Sequence, residues 1–326
     1  MEQALGLLAY IGLGAVLVIV LLVIMLAWGL THPPRLSAGV AAARGWWIDP
    51  SDADLKYDEW WLERPGGTRL PVWEMENPAR PQGPIVFVTH CWGGSRIESL
   101  QRAPFLFPFC SRLILWDLRG HGDAGRSIST LGAIEVDDLL DLVDKVCREH
   151  SLPVILYGFS MGAGISICAA TKDDRVVGVV ADGPYRWTAE PVRSVLEYNA
   201  IPHWPALPLV QRIMCLILPG LRGADRAKYA AQLQCPLLVL HGTEDPFCSI
   251  NSAMEIAEAA PEADFVVMPH AAHLDLHVTS PDRYQSTIQG FMRKCTNRVL
   301  RPSDRQARAS GKTAPESDGG QTQPSM

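Results

Sequence analysis

The stretch of sequence that decides the fold is PVILYGFSMGAGISICAA, residues 153–170. Its apolar start predicts a buried strand, and GAGISICAA predicts a helix. Between them, Ser160 stands in a G-x-S-x-G turn, the pattern of a nucleophile elbow, in which a tight strand-to-helix turn strains the serine backbone. Glycine at Gly158 and Gly162 leaves room for that turn. The pattern therefore predicts that Ser160 is a nucleophile. The alternative is a turn of small residues that only helps the helix to pack.

A serine hydroxyl needs a base to take its proton and an acid to orient that base. PLLVLHGTEDP places Asp245 just after a predicted strand, and FVVMPHAAH places His273 just after the next. The order Ser160, Asp245, His273 is that of a nucleophile–acid–histidine triad. Three other residues of these segments stay open as alternatives: Glu244 as the acid, and His270 or His277 as the base.

A third loop is expected to hold the negative charge that develops on a substrate oxygen. IVFVTHCWGGS predicts a strand followed by the glycine-containing loop His90–Gly94. The backbone N–H groups of Trp92 and Met161 are expected to converge there as oxyanion donors. A simple turn is the alternative interpretation of this loop.

The remaining pattern alternates between strand-like and helix-like segments from about residue 57. A hairpin is predicted around Pro65-Gly66-Gly67. Short apolar runs predict further strands at 85–89, 113–116, 154–157, 176–180, 237–240 and 265–268. Helices are predicted at 134–150, 162–171 and 252–260. This alternation predicts an α/β fold with a mostly parallel, doubly wound sheet.

One interval breaks the alternation. Residues 186–234 separate two predicted strands, and Pro202, Pro205, Pro208 and Pro219 lie there among apolar residues. Because a structureless loop of that length is uncommon within a compact domain, we expect a helical insertion over the edge of the sheet, that is, a lid.

The N-terminal segment predicts a transmembrane anchor. Residues 4–30 contain no charged side chain, and about 27 helical residues reach about 40 Å, more than the ~30 Å hydrocarbon core needs. A cleaved signal peptide, with Ala41-Ala42-Ala43 as small residues for cleavage, and a buried core helix are the alternatives. Arg35 and Arg44 follow the span, which predicts that the main domain is cytoplasmic.

Composition excludes other classes of protein. The 326 residues are 48% hydrophobic and 20% charged, which excludes a mostly disordered chain. A formal net charge of −6 argues against a nucleic-acid partner. The eight cysteines form no C-x-x-C pair and are expected to be buried thiols, and we predict neither a metal nor a cofactor. The histidine-rich segment 270–277 lacks the H-E-x-x-H spacing of a zinc site.

These patterns divide the chain into four parts. The predicted parts are an anchor at 1–34, a linker at 35–56, an α/β domain at 57–296 with its lid at about 186–234, and a disordered tail at 297–326.

From about residue 57 to 295, the chain resembles the α/β-hydrolase superfamily, and within it the lid-bearing serine hydrolases of the serine-aminopeptidase and acylglycerol-lipase-like type. The matching landmarks are His90–Gly94, Asp117–Gly122, Gly158–Gly162, His241–Asp245 and His273. The resemblance implies that Ser160 is the nucleophile, Asp245 the acid and His273 the base, with Trp92 and Met161 as oxyanion donors. Cys91 departs from the family pattern, which has glycine after the loop histidine.

We therefore expect a membrane-anchored serine hydrolase that cleaves an acyl ester, thioester or amide of a small-molecule or lipid-like substrate. Two rivals remain. One is an aminopeptidase in which Glu190 or Glu197 of the insertion grips a substrate amine. The other is a non-catalytic, anchored binding protein with the same fold. The sequence predicts no oligomeric state.

Overall fold

Eight strands form one sheet in this computed structural model, which describes residues 1–125, 127–148, 150–222 and 224–299. The strands are β1 (Asp58–Arg64), β2 (Thr68–Glu76), β3 (Ile85–Thr89), β4 (Arg112–Trp116), β5 (Val154–Phe159), β6 (Val176–Asp182), β7 (Leu237–Gly242) and β8 (Ala263–Met268). Their order across the sheet is β1-β2-β4-β3-β5-β6-β7-β8. The pairs β1–β2 and β2–β4 are antiparallel, and all other neighbours are parallel. The predicted hairpin and the mostly parallel sheet are confirmed.

Helices follow most of the strands. They are α1 (Glu2–Thr31), α2 (Ala38–Ala43), α3 (Arg96–Arg102), α4 (Glu135–Cys147), α5 (Met161–Ala170), α6 (Ala189–Tyr198), α7 (Ala206–Ile217), α8 (Arg226–Ala230), α9 (Ile250–Ala259), α10 (Leu276–Thr279) and α11 (Pro281–Val299). The three predicted helices correspond to α4, α5 and α9, with ends shifted by one to three residues.

Both faces of the sheet are buried, because successive strand residues point to opposite sides. Phe87 and Leu156 belong to one apolar cluster, which also contains core residues of α4, α5 and α9. Val88 and Tyr157 belong to a second cluster, which contains residues of α3 and α11. Continuous apolar strands are therefore explained by cover on both faces, as a doubly wound sheet requires.

The insertion at 186–234, which we call the lid, is helical as expected. It contains α6, α7, a 3-10 turn at Pro219–Leu221 and α8. Pro208 lies in the first turn of α7, where a missing N–H costs no intrahelical hydrogen bond. Val210 and Met214 bury one side of α7 against the sheet-covering core.

Helix α1 is long and apolar enough to cross a membrane over Gln3–Thr31, and only 6% of its most apolar window is buried. That exposure excludes a core helix, while a membrane anchor and a signal sequence both fit. The first half of α1 is exposed around most of its circumference, whereas the second half packs on the domain through residues spaced along one face. These residues are Ile19, Leu22, Val23, Leu26, Ala27 and Leu30.

Residues 35–56, predicted as a linker, lie against the domain. The guanidinium of Arg35 donates to the carbonyl oxygens of Ala124, at 2.6 Å, and Gly125, at 3.1 Å. Ala41 of α2 is fully buried in the second apolar cluster. At the other end, α11 continues to Val299, and the rest of the predicted tail lies outside the described residues.

Six of the eight cysteines are buried, and Cys168 and Cys215 are half-buried. The prediction of mostly buried cysteines is confirmed.

Candidate active site

The turn between β5 and α5 has the geometry expected of an elbow. Ser160 has φ 50° and ψ −109°, a strained conformation for a residue with a side chain. A Cβ on Gly158 would lie 2.1 Å from the carbonyl oxygen of Gly162, and a Cβ on Gly162 would lie 2.1 Å from that of Thr89. The Ser160 N–H donates to the carbonyl of Asp182 at 2.8 Å, which ties the turn to the end of β6. Both glycines are therefore required sterically.

The three residues of the predicted triad meet at the carboxyl edge of the sheet. His273 Nε2 lies 3.1 Å from Ser160 Oγ, and His273 Nδ1 lies 2.6 Å from Asp245 Oδ2. These distances fit a serine hydroxyl that donates to the imidazole and an imidazole N–H that donates to the carboxylate. Ser160 and Asp245 are 85 positions apart along the chain, and Asp245 and His273 are 28 positions apart, yet the three residues form one hydrogen-bonded row.

Asp245 is held in its ionised form by its surroundings. Burial favours a raised pKa, but the hydrogen bond and charge of His273 and the N–H groups of Cys248 and Phe247 outweigh it and lower the pKa of Asp245. Both N–H groups donate to Asp245 Oδ1 at 2.9 Å, so the carboxylate also shapes its own loop. An ionised acid in this position stabilises the imidazolium that forms when the base takes a proton.

The alternative acid and bases lie elsewhere. Glu244 and His270 are exposed and contact each other, with Oε1 and Nδ1 3.1 Å apart. His277 Nδ1 lies 3.2 Å from a guanidinium nitrogen of Arg102. Among the candidates, all of which are described residues, only Asp245 and His273 join Ser160 in one hydrogen-bonded row.

The loop after β3 is fixed by its buried histidine. His90 Nε2 accepts the N–H of Leu118 at 2.9 Å, and Nδ1 lies 2.7 Å from the carbonyl of Cys91. These two bonds require a neutral ring with the proton on Nδ1. Burial lowers the pKa of His90 to about 4, which keeps the ring neutral. His90 therefore clamps the loop and does not titrate near neutral pH.

The two predicted oxyanion donors lie at the start of α5 and in the loop after β3. Met161 is the first residue of α5, where a helix leaves its backbone N–H groups without intrahelical acceptors. Trp92 lies in the loop after β3, and this loop packs against α5 because Gly162 approaches the carbonyls of Thr89 and His90. The positive end of the helix also favours negative charge beside Ser160. The assignment of Trp92 and Met161 as donors stays a prediction.

The side chain of Cys91 is buried behind the loop. Its thiol donates to Glu98 Oε2 at 3.1 Å, and Glu98 Oε1 accepts from Arg102 at 3.0 Å. Burial and the Glu98 charge raise the pKa of Cys91 well above its usual value, so the thiol stays protonated. Cys91 thus links the loop to α3, and sequence reasoning missed this partner because nothing in the pattern marks Glu98.

The Asp117–Gly122 segment is structural. Asp117 Oδ1 accepts the N–H of Arg96 at 2.6 Å, and its Oδ2 contacts the Arg96 guanidinium at 2.5 Å. His121 Nδ1 lies 2.8 Å from the carbonyl of Arg119, and burial lowers the pKa of His121 to about 3. Neither residue forms a hydrogen bond with the three residues of the row.

Two apolar neighbours of the triad were not predicted. The ring of Phe247 meets His273 edge-on at 5.8 Å, and Tyr198 at the end of α6 meets Phe247 at 6.1 Å. On the other side, the indole Nε1 of Trp92 donates to the carbonyl of Leu30 at the end of α1, at 3.0 Å. Ser160 itself is only 7% exposed.

One group near the triad offers metal-ligand atoms. Atoms of Asp245, Cys248 and His273 lie within 4.8 Å of one another. Burial raises the pKa of Cys248 well above its usual value, which disfavours the thiolate that a metal binds. A metal on His273 Nδ1 would also replace the hydrogen bond to Asp245. The residues suit a proton relay better than a metal site.

The residues proposed to grip an amine have other partners. Glu190 accepts hydrogen bonds from Ser252 Oγ at 2.6 Å and from the Ser249 N–H at 3.0 Å, and so joins the lid to α9. Glu197 lies 3.6 Å from His203, within the lid.

Residues 85–285, more than half of the chain, match a family model described as "Alpha/beta hydrolase family". The matched region contains the elbow, all three residues of the hydrogen-bonded row and the lid.

Individual relatives are more distant. The uncharacterized protein YqkD of Bacillus subtilis is 26% identical over 194 residues, which cover 55% of this chain and 61% of that protein. (E)-2-((N-methylformamido)methylene)succinate hydrolase of Acinetobacter baylyi is 23% identical over 213 residues, which cover 55% of this chain and 80% of that enzyme. Among solved structures, the esterase Pf2001 of Pyrococcus furiosus has a TM-score of 0.65 at 21% identity and covers 82% of this chain and 98% of the esterase. At this identity, the structural likeness shows the fold alone.

Proposed function

The chain belongs to the alpha/beta hydrolase family, and from this premise we propose that it is a membrane-anchored serine hydrolase that cleaves an acyl ester, thioester or amide. The observation that carries the proposal is the row Ser160 Oγ–His273 Nε2–His273 Nδ1–Asp245 Oδ2, with distances of 3.1 and 2.6 Å at its two hydrogen bonds. A hydrolase among the relatives and an esterase among the structural neighbours support the reaction class.

The reaction runs in two halves. His273 Nε2 takes the proton of Ser160 Oγ as the oxygen attacks the substrate carbonyl, and a tetrahedral oxyanion forms. The backbone N–H groups of Trp92 and Met161 bind this oxyanion. The intermediate collapses, the leaving group takes the proton from His273, and an acyl-serine remains. Water then attacks the acyl-serine with His273 again as the base, which releases the acid and regenerates Ser160.

Helix α1 is the anchor in this proposal. Its span from Gln3 to Thr31 is 29 residues long and predominantly apolar, and only 6% of its most apolar window is buried in the protein, which suits a lipid environment. Arg35 and Arg44 after the span favour a cytoplasmic catalytic domain.

The two rival functions have weaker support. The Glu190 carboxylate accepts hydrogen bonds from Ser249 and Ser252, which leaves Glu197, 3.6 Å from His203, as the remaining amine-binding candidate of an aminopeptidase. A non-catalytic binding protein has no use for the strained Ser160 backbone, a conformation that costs free energy and clusters at functional sites.

A fluorophosphonate probe tests the proposal. The intact protein in detergent should be labelled, and Ser160→Ala should abolish the labelling. Ser166→Ala is the matched control, because Ser166 is a buried serine on the same helix and should leave labelling unchanged. Equal labelling of wild type and Ser160→Ala would refute the assignment. Comparing 4-methylumbelliferyl esters with aminoacyl arylamides then separates an esterase from an aminopeptidase.

A further inference from the structure

The depth of α1 places part of the domain inside the bilayer interface. About 20 helical residues cross the ~30 Å hydrocarbon core. Counted from Ala4, the hydrocarbon therefore ends at about residue 23. The half-buried face of α1 that contacts the domain begins earlier, at Ile19, and runs to Leu30. More than one turn of α1 thus contacts the domain while it is still at the depth of the acyl chains.

The part of the domain that α1 contacts most is α7 of the lid. Helix α7 buries Val210 and Met214 against the core, and a second apolar stripe beside them is exposed. The members of this stripe recur at helical spacing and are Leu209, Ile213, Leu216 and Ile217. We call it the lid face.

An exposed apolar stripe of four large side chains is unfavourable in water, and such patches mark contact surfaces. Two large aromatic side chains, Tyr198 and Trp204, are each 74% exposed on the segment that leads into α7. Tyrosine and tryptophan are the residues that favour the headgroup level of a membrane. The lid face lies on α7, which packs against α1. Because the exposed apolar surface of a membrane-spanning α1 contacts lipid, the occupant that fits the neighbouring lid face is the same bilayer.

The same elements reach the catalytic residues from two sides. Trp92 of the oxyanion loop donates to Leu30 at the end of α1. Tyr198 of the lid contacts Phe247, which contacts His273. These contacts connect the site to the end of α1 through Trp92 and to the lid through Phe247 and Tyr198.

We propose, on the basis of the anchored serine hydrolase proposed above, that the lid face rests in the interfacial region of the membrane that α1 crosses. Acyl esters dissolved in that leaflet enter the site directly from the lipid. A second copy of the chain is the competing occupant of the lid face.

The experiment uses the full-length protein in phosphatidylcholine vesicles and two substrates with one fluorophore. 4-Methylumbelliferyl oleate partitions into the bilayer, and 4-methylumbelliferyl butyrate stays in water. The test variant is Leu209→Glu/Ile213→Glu. The control is Ile250→Glu/Met254→Glu on α9, which has the same four-residue spacing and matched exposures of 37% and 39% against 37% and 38%.

We expect the ratio of oleate to butyrate hydrolysis to fall at least about tenfold in the lid-face variant, because two carboxylates replace side chains that contact lipid. The control should keep the wild-type ratio. An unchanged ratio in the lid-face variant, or the same fall in the control, would overturn the proposal.

Two further outcomes are separable. If the wild type cleaves neither ester and reacts with no fluorophosphonate, the proposed hydrolase function is wrong. If the wild type cleaves the butyrate ester but the oleate-to-butyrate ratio is unchanged in the lid-face variant, only the membrane inference is wrong. Single-molecule photometry in lipid discs detects a second copy. A dimer that becomes a monomer in the lid-face variant would assign the surface to self-association and overturn membrane docking.

Discussion

The carboxyl edge of the sheet and the lid are stabilised in opposite ways. At the edge, polar side chains form hydrogen bonds within the protein: His273 with Ser160 and Asp245, and His90 with Cys91 and Leu118. In the lid, α7 leaves an apolar stripe, the lid face, whose side chains are between 37% and 68% exposed. This contrast indicates that the geometry of Ser160, His273 and Asp245 is set by contacts within the domain. Access of a substrate to these residues depends instead on what contacts the exposed side of α7.

The largest effect should come from removing the charge at the edge. Asp245→Asn is expected to lower kcat by about 10³- to 10⁴-fold, because the amide cannot hold the imidazole of His273 in the required tautomer. Steady-state kinetics on a soluble ester measure this. Glu244→Gln is the control and should stay within about twofold of wild type, since Glu244 contacts only exposed His270 among the described residues. A large loss in Glu244→Gln would move the acid to Glu244.

The edge should also tolerate less steric change than exposed helices do. Gly158→Ala is expected to lower the free energy of unfolding by about 3 kcal/mol or more, because its Cβ would lie 2.1 Å from a backbone oxygen. Gly290→Ala, on α11 with nothing within 4 Å of the new Cβ, should instead raise it by about 0.5–1 kcal/mol. Denaturant unfolding in detergent measures both. Similar tolerance at the two positions would contradict the tight elbow.

Buried histidines near the edge predict a loss of stability in acid. Burial lowers the pKa of His90 to about 4 and of His121 to about 3, whereas both rings titrate near 6.5 when unfolded. Between those values the unfolded chain binds more protons, so the free energy of unfolding falls as the pH falls below about 6.5. Each ring contributes up to about 1.4 kcal/mol per pH unit.

Unfolding curves of wild type, His121→Asn and His270→Asn from pH 7 to pH 4.5 test this prediction. His121→Asn should flatten the pH dependence. His270→Asn should keep it, because that ring is 86% exposed. A wild-type stability that does not change over this range would contradict the assignment of neutral, buried rings.

The smallest effect should arise where α1 meets the edge. Trp92→Phe removes the hydrogen bond from the indole to the Leu30 carbonyl, which is worth about 0.5–1 kcal/mol. We expect kcat on a soluble ester to fall about two- to fivefold as the oxyanion loop loosens, with little change in KM. Trp47→Phe, a similarly exposed tryptophan, should have no effect. Equal kinetics for Trp92→Phe and wild type would show that α1 does not stabilise the loop after β3.

Much of the edge could be predicted from the sequence, because its signals are short and local. An apolar run, a turn residue and a polar side chain within a few positions located Ser160, Asp245 and His273. The order of the strands then brought these positions to one edge. Strand ends were less certain, since β5 and β7 continue two residues beyond the predicted apolar runs through paired Gly158, Phe159 and Gly242.

The contacts around the edge could not be predicted, because they join apolar or backbone atoms far apart along the chain. Nothing in the sequence pairs Leu30 with Trp92 or Tyr198 with Phe247. The packing of residues 35–56 was missed for the same reason. The alanine-rich sequence of α2 is also typical of a spacer, and only the structure shows that Ala41 is part of the core.

The junction after α1 sets how the protein should be handled in the laboratory. The Ser129 N–H donates to the Thr31 carbonyl at 2.9 Å, and Pro34 lies 3.6 Å from the position of a Cβ on Gly93. Removing residues 1–34 to obtain a water-soluble protein would remove the contacts of Thr31 and Pro34 and would expose the side of α7 that α1 covers. Purification of the intact chain in detergent or nanodiscs preserves what truncation would damage.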